Sequence, residues 1–257
     1  MDLVQLRKDN KTRWDNCHIS VEKGPAFKQV ADRLTAIPAF SRYKAVEKIT
    51  NVPWWFIAVV HEREASQNWN TYLGNGQALN KKTTIVPTNR GPFKTWEDGA
   101  VDALVNCPPH ASKNKDWSIG GALTMLEQYN GTGYAQMGKP SPYVWAGTDQ
   151  YEKGKYVADG KYSSETVDTQ LGCAGLLKFM GVFKTAPTGA GTAIATVAVG
   201  ATAATTAAVG TNHWAWFTNH WGILLIAALG TGILIDFILA VYNNEKNQLK
   251  VSNVVVH

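Results

Sequence analysis

The sequence predicts a mainly α-helical fold with a small loop or hairpin lobe and a C-terminal transmembrane helix. Three observations lead to this fold class. Apolar residues recur at helical spacing through residues 1–184, the stretch 69–93 is polar and rich in Gly, Asn and Thr, and residues 222–241 form an apolar run with a single charge. We therefore expect one helical domain over residues 1–184, with the polar stretch outside its helices.

Five helices are expected in this domain. Pro25 suits the first turn of the first helix, and the apolar stretch 54–60 leads into a second that ends in the letters HERE. Thr95 and Ser118 can cap the third and fourth helices, and the letters TWED from Thr95 resemble a capping box. The fifth helix is expected over residues 165–180.

The membrane prediction rests on residues 222–241, GILLIAALGTGILIDFILAV, in which Asp236 is the one charged residue. About 20 apolar residues are enough to cross a bilayer as a helix. One Asp costs on the order of 3 kcal/mol there, which the surrounding Ile, Leu and Phe offset. Aromatic residues flank the run as at membrane interfaces: Trp214, Trp216, Phe217, Trp221 and Tyr242. We place the helix with its aromatic flank at 213–242 and a short polar tail at 243–257.

Residues 185–212 are almost entirely Ala, Thr, Gly and Val. Such residues gain little from lipid, so we interpret this segment as a linker. It is uncharged and long enough to span a bilayer, and a second membrane helix is therefore the alternative.

The net charge indicates which kind of partner suits the domain, and the cysteine spacing argues against certain kinds of site. The formal net charge is +5, and residues 185–257 sum to zero, so the excess lies in residues 1–184 and suits an anionic partner. The three cysteines are widely spaced and form no CxxC pair, which argues against a disulfide scaffold or a zinc site. No cofactor, metal or nucleic-acid partner is expected, and no secretory signal is visible at the N-terminus.

The candidate catalytic residue is Glu64, where an apolar helix ends and a polar loop begins. Partial burial at such a position raises the pKa of a carboxyl group and keeps it protonated near neutral pH. A glycosidase needs that state in the acid that protonates the leaving oxygen. The letters HE at His61 are not the zinc-protease motif HExxH, because Ala65 stands where the second His belongs.

Five blocks in order carry a resemblance to a known group: HEREASQNWNTYLGNGQAL, GPF followed by TWEDGAVDAL, LEQYNGTGY, SPYVWAGT and YEKGKYVADGKY. Together they resemble phage endolysins and related bacterial peptidoglycan hydrolases of the lysozyme superfamily, over roughly residues 25–184. LEQYNG is also similar to the Tyr-Asn motif of soluble lytic transglycosylases. The resemblance implies a lysozyme-like helical fold and cleavage of the MurNAc–GlcNAc β-1,4 bond.

The resemblance also implies roles for individual residues. Glu64 matches the catalytic glutamate, with Glu62 as the rival, although Ala65 departs from the usual Glu-Ser pair. Tyr129 and Asn130 match the Tyr-Asn pair, which implies that Tyr129 lies near the acid and Asn130 contacts an N-acetyl group. Other expected substrate-binding residues are aromatic or amide side chains: Trp69, Tyr72, Asn75, Tyr143 and Tyr151, with Tyr134 and Trp145 as further cleft candidates.

A second catalytic carboxylate is less clear in the sequence. Inverting hydrolysis needs a base about 6.5–9.5 Å from the acid. Glu97, Asp98 and Asp102 are the candidates, of which Asp98 is also a suitable helix cap. Without such a base, the sugar's own 6-hydroxyl can attack and give an anhydro product, and the sequence leaves both reactions open.

The expected function is that of an endolysin that degrades host peptidoglycan for cell lysis. The protein would sit in the bacterial inner membrane through one C-terminal helix, or two, and act on the periplasmic wall. A lytic transglycosylase and a non-catalytic peptidoglycan-binding or holin-like lysis protein are the alternatives.

Overall fold

The computed structural model describes residues 2–158 and 160–183, and this part of the chain is mainly helical. One short antiparallel pair of strands, β1 (Lys155–Ala158) and β2 (Lys161–Ser163), follows the eighth helix. The helices are α1 (Leu3–Asn16), α2 (Gly24–Thr35), α3 (Ile37–Thr50), α4 (Trp54–Ala65), α5 (Trp96–Asn106), α6 (Ile119–Asn130), α7 (Gly133–Gln136), α8 (Pro142–Trp145) and α9 (Cys173–Phe179).

Local side-chain chemistry sets several helix starts, as the sequence predicted. A proline lies in the first turn of α2, and the Ser118 hydroxyl accepts the Gly121 backbone N–H at the start of α6. At the start of α5, Thr95 accepts the Asp98 N–H while the Asp98 carboxylate accepts the Thr95 N–H. The capping box is therefore confirmed, and it uses two backbone donors that would otherwise lack partners.

Helix α4 lies at the centre of the domain. Its residues from Phe56 to Val60 are fully buried, so the helix is apolar on every face and is covered on all sides. Helices α2, α3 and α9 pack against it. Polar side chains enter only in its last turns, which is where the helix reaches the surface of the domain.

A buried polar cluster holds the end of α4 and the start of the following loop. Two hydrogen bonds hold the His61 ring: Nδ1 lies 3.1 Å from the Tyr43 hydroxyl, and Nε2 lies 3.0 Å from the Asn68 carbonyl oxygen. Burial lowers the pKa of His61 to about 4, so its ring is neutral at physiological pH. Ser66 and Gln67 have φ of 50° and 61°, and the Gln67 amide donates to Tyr43. These contacts turn the chain sharply after Glu64.

The polar stretch 69–93 forms a loop lobe, as predicted, with an isolated bridge between Thr71 and Ala78. The Asn75 amide donates to the Ile85 carbonyl, and the backbone N–H of Phe93 closes the lobe on the Leu79 carbonyl. The β1–β2 hairpin was not expected; it pairs Lys155 with Ser163 and Tyr156 with Tyr162.

The fifth predicted helix is wrong in its first half. Helix formation begins only at Cys173, and residues 165–172 are non-helical. Asp168 in this segment is drawn into an ion pair with Arg63, and Gly172 packs so closely on the Val144 carbonyl that a Cβ atom would lie 2.5 Å from it. Tertiary contacts therefore outweigh the local helical pattern.

None of the helices within the described residues is both long and apolar enough to cross a bilayer. The predicted linker 185–212, the predicted transmembrane helix 213–242 and the tail 243–257 all lie outside the described residues.

Candidate active site

A pocket of about 660 Å³ opens at the end of α4, and Glu64 forms part of its lining. Asn130 at the end of α6 and Tyr143 of α8 also line the pocket. The β1–β2 hairpin contributes Lys155 and Tyr156 to the same lining. Of the carboxyl groups in the last turn of α4, that of Glu64 therefore reaches the pocket. Three other elements supply amide, phenol and ammonium groups to the same pocket.

Glu64 is partly buried and makes one direct side-chain hydrogen bond. The Tyr143 hydroxyl donates to Glu64 Oε1 at 3.0 Å. Burial raises the pKa of Glu64 to about 7, against the opposing effects of the Tyr143 hydrogen bond and the Arg63 charge. A substantial fraction of Glu64 is therefore protonated at neutral pH, as a general acid requires.

Arg63, next to Glu64, points into the domain. Its side chain is 6% exposed, and its Nη2 donates to Asp168 Oδ2 at 2.8 Å. Lys155 donates to the other oxygen, Oδ1, at 3.1 Å, and the Asp168 backbone N–H donates to the Tyr151 hydroxyl at 2.9 Å. Burial opposes ionisation of Asp168, but the hydrogen bond and charge of Arg63 keep its pKa below the ordinary value. Asp168 thus joins α4 to the hairpin as a carboxylate.

The two residues of the Tyr129-Asn130 pair have different surroundings. Tyr129 bonds within the protein, and Asn130 lines the pocket. The Tyr129 hydroxyl donates to the Leu73 carbonyl at 3.2 Å, which ties α6 to the loop lobe. Burial and the nearby Glu64 charge raise the pKa of Tyr129, so its phenol stays neutral. Asn130 is exposed on the pocket wall, and its Nδ2 donates to Ser141 Oγ at 3.4 Å.

Four of the expected substrate-binding residues do not line this pocket. Tyr72 is fully buried, and its hydroxyl donates to Asp102. Trp69 packs against Tyr43 and Trp96. Asn75 and Tyr151 bond to backbone groups: the Asn75 amide reaches Ile85, and the Tyr151 hydroxyl reaches Gly154. The structure gives these four side chains contacts that support the fold around the site.

The three candidate second carboxylates are also engaged elsewhere. Glu97 accepts two bonds from Arg42, at 2.5 and 3.0 Å, and Asp98 belongs to the capping box of α5. Asp102 accepts from Arg90, Asn106 and Tyr72. None of the three lines the Glu64 pocket.

Glu62, the rival of Glu64, also lies outside the pocket lining, and it forms an ion pair with Arg33 at 2.9 Å. Two residues along a helix face different directions, so Glu62 and Glu64 cannot both reach the same pocket.

Four residues of the pocket lining were not predicted from the sequence: Arg63, Asp168, Lys155 and Tyr156. A hairpin signal was present, because KYVADGKY alternates around an Asp-Gly pair that is typical of tight turns. No local signal pairs Arg63 with Asp168, which lie 105 residues apart. Within residues 2–158 and 160–183, no three His, Cys, Asp or Glu side chains cluster as metal ligands.

No protein-family model, curated protein or solved structure matches this chain.

The raised pKa of Glu64 predicts how its replacement changes stability. The unfolded chain releases this proton near the ordinary value of 4.5, whereas the folded protein holds it to about 7, so this group's contribution to stability falls as pH rises between them. Glu64→Gln should therefore stabilise the protein at about pH 8 by roughly 1–3 kcal/mol and much less at about pH 4. Urea unfolding, followed by tryptophan fluorescence, measures the free energy of unfolding at each of the two pH values.

Glu62→Gln is the matched control, because it removes the ion pair with Arg33 outside the pocket. This variant should show no gain in the free energy of unfolding that depends on pH. Equal stabilisation by Glu64→Gln at both pH values would contradict the raised pKa.

Proposed function

We propose that this chain is a muralytic glycosidase of the endolysin type, which cleaves the MurNAc–GlcNAc β-1,4 bond of bacterial peptidoglycan with Glu64 as general acid. The observation that carries the proposal is the state of Glu64: a carboxyl group in a large pocket whose burial raises its pKa to about 7. The resemblance of five ordered sequence blocks to peptidoglycan hydrolases supports the same reading.

In the proposed reaction the Glu64 carboxyl donates its proton to the glycosidic oxygen as the bond from MurNAc C1 breaks. The leaving GlcNAc then carries the proton as its 4-hydroxyl, and positive charge develops on the MurNAc ring. Tyr143 holds Oε1, so the acid presents its other oxygen to the substrate. Asn130 and Tyr156 line the same pocket and offer an amide and an aromatic ring for sugar contacts.

Loss of this proton donor should abolish lysis. Glu64→Gln removes the acid but keeps its shape, and general-acid catalysis contributes about 10²–10⁴-fold to such rates. We expect the variant to lose at least about 100-fold of its clearing rate in a turbidity assay on outer-membrane-permeabilised Gram-negative cells.

The same assay includes Glu62→Gln, which should clear cells within about twofold of the unmodified chain, since its ion pair with Arg33 lies outside the pocket lining and ion pairs near the surface contribute little to stability. Clearing by Glu64→Gln at the normal rate would remove Glu64 from the mechanism. A non-catalytic wall-binding or holin-like protein predicts that both variants behave alike.

A second candidate function is lytic transglycosylation, in which the MurNAc 6-hydroxyl attacks C1 in place of water. One observation favours it: among the residues that the structure describes, Asp168 is the other carboxylate on the pocket lining, and its two oxygens are bonded to Arg63 and Lys155. A carboxylate engaged in this way is poorly placed to activate a water molecule.

The two reactions leave different products from the same bond. Hydrolysis adds water and leaves a reducing MurNAc, whereas internal attack leaves 1,6-anhydro-MurNAc, which is lighter by one water. Mass spectrometry of digested peptidoglycan separates them. The second candidate predicts that the anhydro product dominates, because Asp168 is held by two cations, and reducing ends alone would contradict it.

We further propose that residues 213–242 tether the enzyme to the bacterial inner membrane and that it acts on the periplasmic wall. The apolar run 222–241 with its aromatic flanks supports the tether. The full chain should sediment with membranes and resist extraction by carbonate, while a chain ending at residue 212 should not. Recovery of both in the soluble fraction would contradict a single tether at 213–242.

A further inference from the structure

One cation on the pocket lining takes no part in the proposed proton transfer. Lys155 of β1 lines the same pocket as Glu64, and its side chain is 35% exposed. Its Nζ donates to Asp168 Oδ1 at 3.1 Å. An ammonium group has three N–H donors, so this bond leaves Lys155 with the capacity to bind a further acceptor.

The charges of the described pocket lining do not balance. Within the described residues of the lining, carboxyl, ammonium and guanidinium groups belong to four side chains: Arg63, Glu64, Lys155 and Asp168. Glu64 holds its proton up to about pH 7, so the Asp168 carboxylate is opposed by two cations. These groups together leave one positive charge in excess, which suits an anionic ligand better than a neutral one.

The excess charge is exposed at Lys155. The side chain of Arg63 is 6% exposed and that of Asp168 is 2% exposed. Both Asp168 oxygens already accept hydrogen bonds: Oδ2 from Arg63 at 2.8 Å, and Oδ1 from Lys155 and from the Gln170 backbone N–H at 3.2 Å. The donors thus enclose the carboxylate, and of these charged groups it is the Lys155 ammonium that a ligand in the pocket would meet.

Contacts of the neighbouring residues fix the strand that carries Lys155. The Tyr156 backbone N–H donates to the Tyr134 hydroxyl at 2.9 Å, and the two rings meet edge to face with their centroids 5.1 Å apart. A Cβ atom on Gly133 would lie 2.9 Å from the Tyr156 hydroxyl oxygen, so the hairpin packs closely on α7. A side chain held in this way loses less conformational freedom when it binds a ligand.

The two sugars of peptidoglycan differ in one charged substituent. GlcNAc is neutral, whereas MurNAc carries a lactyl ether that ends in a carboxyl group. In glycan without peptides this group is a carboxylate. Where a stem peptide is attached, an amide replaces it, and the peptide brings carboxylates of its own. The substituent of MurNAc therefore supplies an anion close to the bond that the proposed reaction cleaves.

We propose that the Lys155 ammonium binds the carboxylate of this muramyl substituent, so that the pocket prefers a MurNAc-containing glycan to a neutral oligomer of GlcNAc. The inference rests on the proposed function, since it names the feature of the same substrate that the pocket recognises. Lys155 is a specificity-determining residue, because the group that it binds does not react.

The test compares the binding of two soluble tetrasaccharides by calorimetry. One alternates GlcNAc and MurNAc with free lactyl carboxylates, and the other is chitotetraose, which contains GlcNAc alone. The parent is the full chain carrying Glu64→Gln, so that neither sugar is cleaved. It should bind the muramyl sugar about tenfold more tightly, which corresponds to one hydrogen bond between charged groups. Adding Lys155→Met should raise the Kd of the muramyl sugar by about the same factor and leave that of chitotetraose unchanged.

Three readouts separate recognition of charge from a structural role. A structural role predicts that Lys155→Met weakens the binding of both sugars equally. Lys155→Arg keeps a cation and should retain the preference to within about threefold. Raising the salt concentration from about 0.05 M to about 0.5 M should weaken binding of the muramyl sugar to the parent, but not of chitotetraose. The salt comparison uses no variant of Lys155, so it tests the proposal even where Lys155→Met fails to fold.

Further ligands identify the source of the carboxylate. A muramyl tetrasaccharide whose lactyl groups are capped as methylamides should bind like chitotetraose, and binding as tight as that of the free acid would overturn the proposal. The same tetrasaccharide with stem peptides on its lactyl groups carries only peptide carboxylates. Tight binding that Lys155→Met abolishes assigns the recognised carboxylate to the peptide, and weak binding assigns it to the lactyl group.

Lys153→Met is the matched control, two residues before Lys155. Lys153 also forms an ion pair, with Glu165 at 2.6 Å, and it does not belong to the pocket lining. This variant changes the net charge of the chain by the same amount as Lys155→Met. The preference for the muramyl sugar should remain, because the charge at the pocket and not the net charge determines it.

Failure of the inference differs from failure of the proposed function. A parent that binds neither tetrasaccharide contradicts both. A parent that binds the two sugars equally well overturns the role of Lys155 alone, and so does a Lys155→Met variant that keeps the full preference.

Discussion

The buried ion pair between Arg63 and Asp168 connects the parts of the chain that form the pocket. Arg63 belongs to the last turn of α4, and Asp168 lies between the hairpin and α9. Lys155 of β1 bonds to the same carboxylate. Removing one partner of such a pair leaves an uncompensated charge in the interior, at a cost of about 3–5 kcal/mol. The position of Glu64 relative to the hairpin therefore depends on the Arg63–Asp168 ion pair, in which Glu64 itself takes no part.

The same ion pair helps to explain the protonation of Glu64. A cation next to a carboxyl group ordinarily lowers its pKa, and Arg63 is adjacent in sequence. Arg63 is turned inward, however, and Asp168 largely neutralises its charge at 2.8 Å. Burial then outweighs the remaining attraction and the Tyr143 hydrogen bond, and the pKa rises to about 7. Burial at the end of α4 disfavours the charged form of Glu64, and the ion pair with Asp168 reduces the opposing effect of Arg63.

Local features of this fold could be predicted from sequence, and distant contacts could not. Thr95 and Ser118 cap helices because each hydroxyl accepts from a backbone N–H three residues away, which is a local contact. The position of Glu64 at a helix end followed from the apolar run before it. The first half of the predicted helix 165–180 is not helical, because Asp168 forms an ion pair with Arg63, 105 residues earlier.

Aromatic residues show the same limit of sequence patterns. Tyr72 and Tyr143 look alike in the sequence, yet Tyr72 bonds to Asp102 inside the domain and Tyr143 bonds to Glu64 at the pocket. A tyrosine in the core and one in a cleft both need a hydroxyl partner, so residue type cannot separate them. Only the hydrogen-bond partner of the hydroxyl separates the two cases, and the tertiary fold determines that partner.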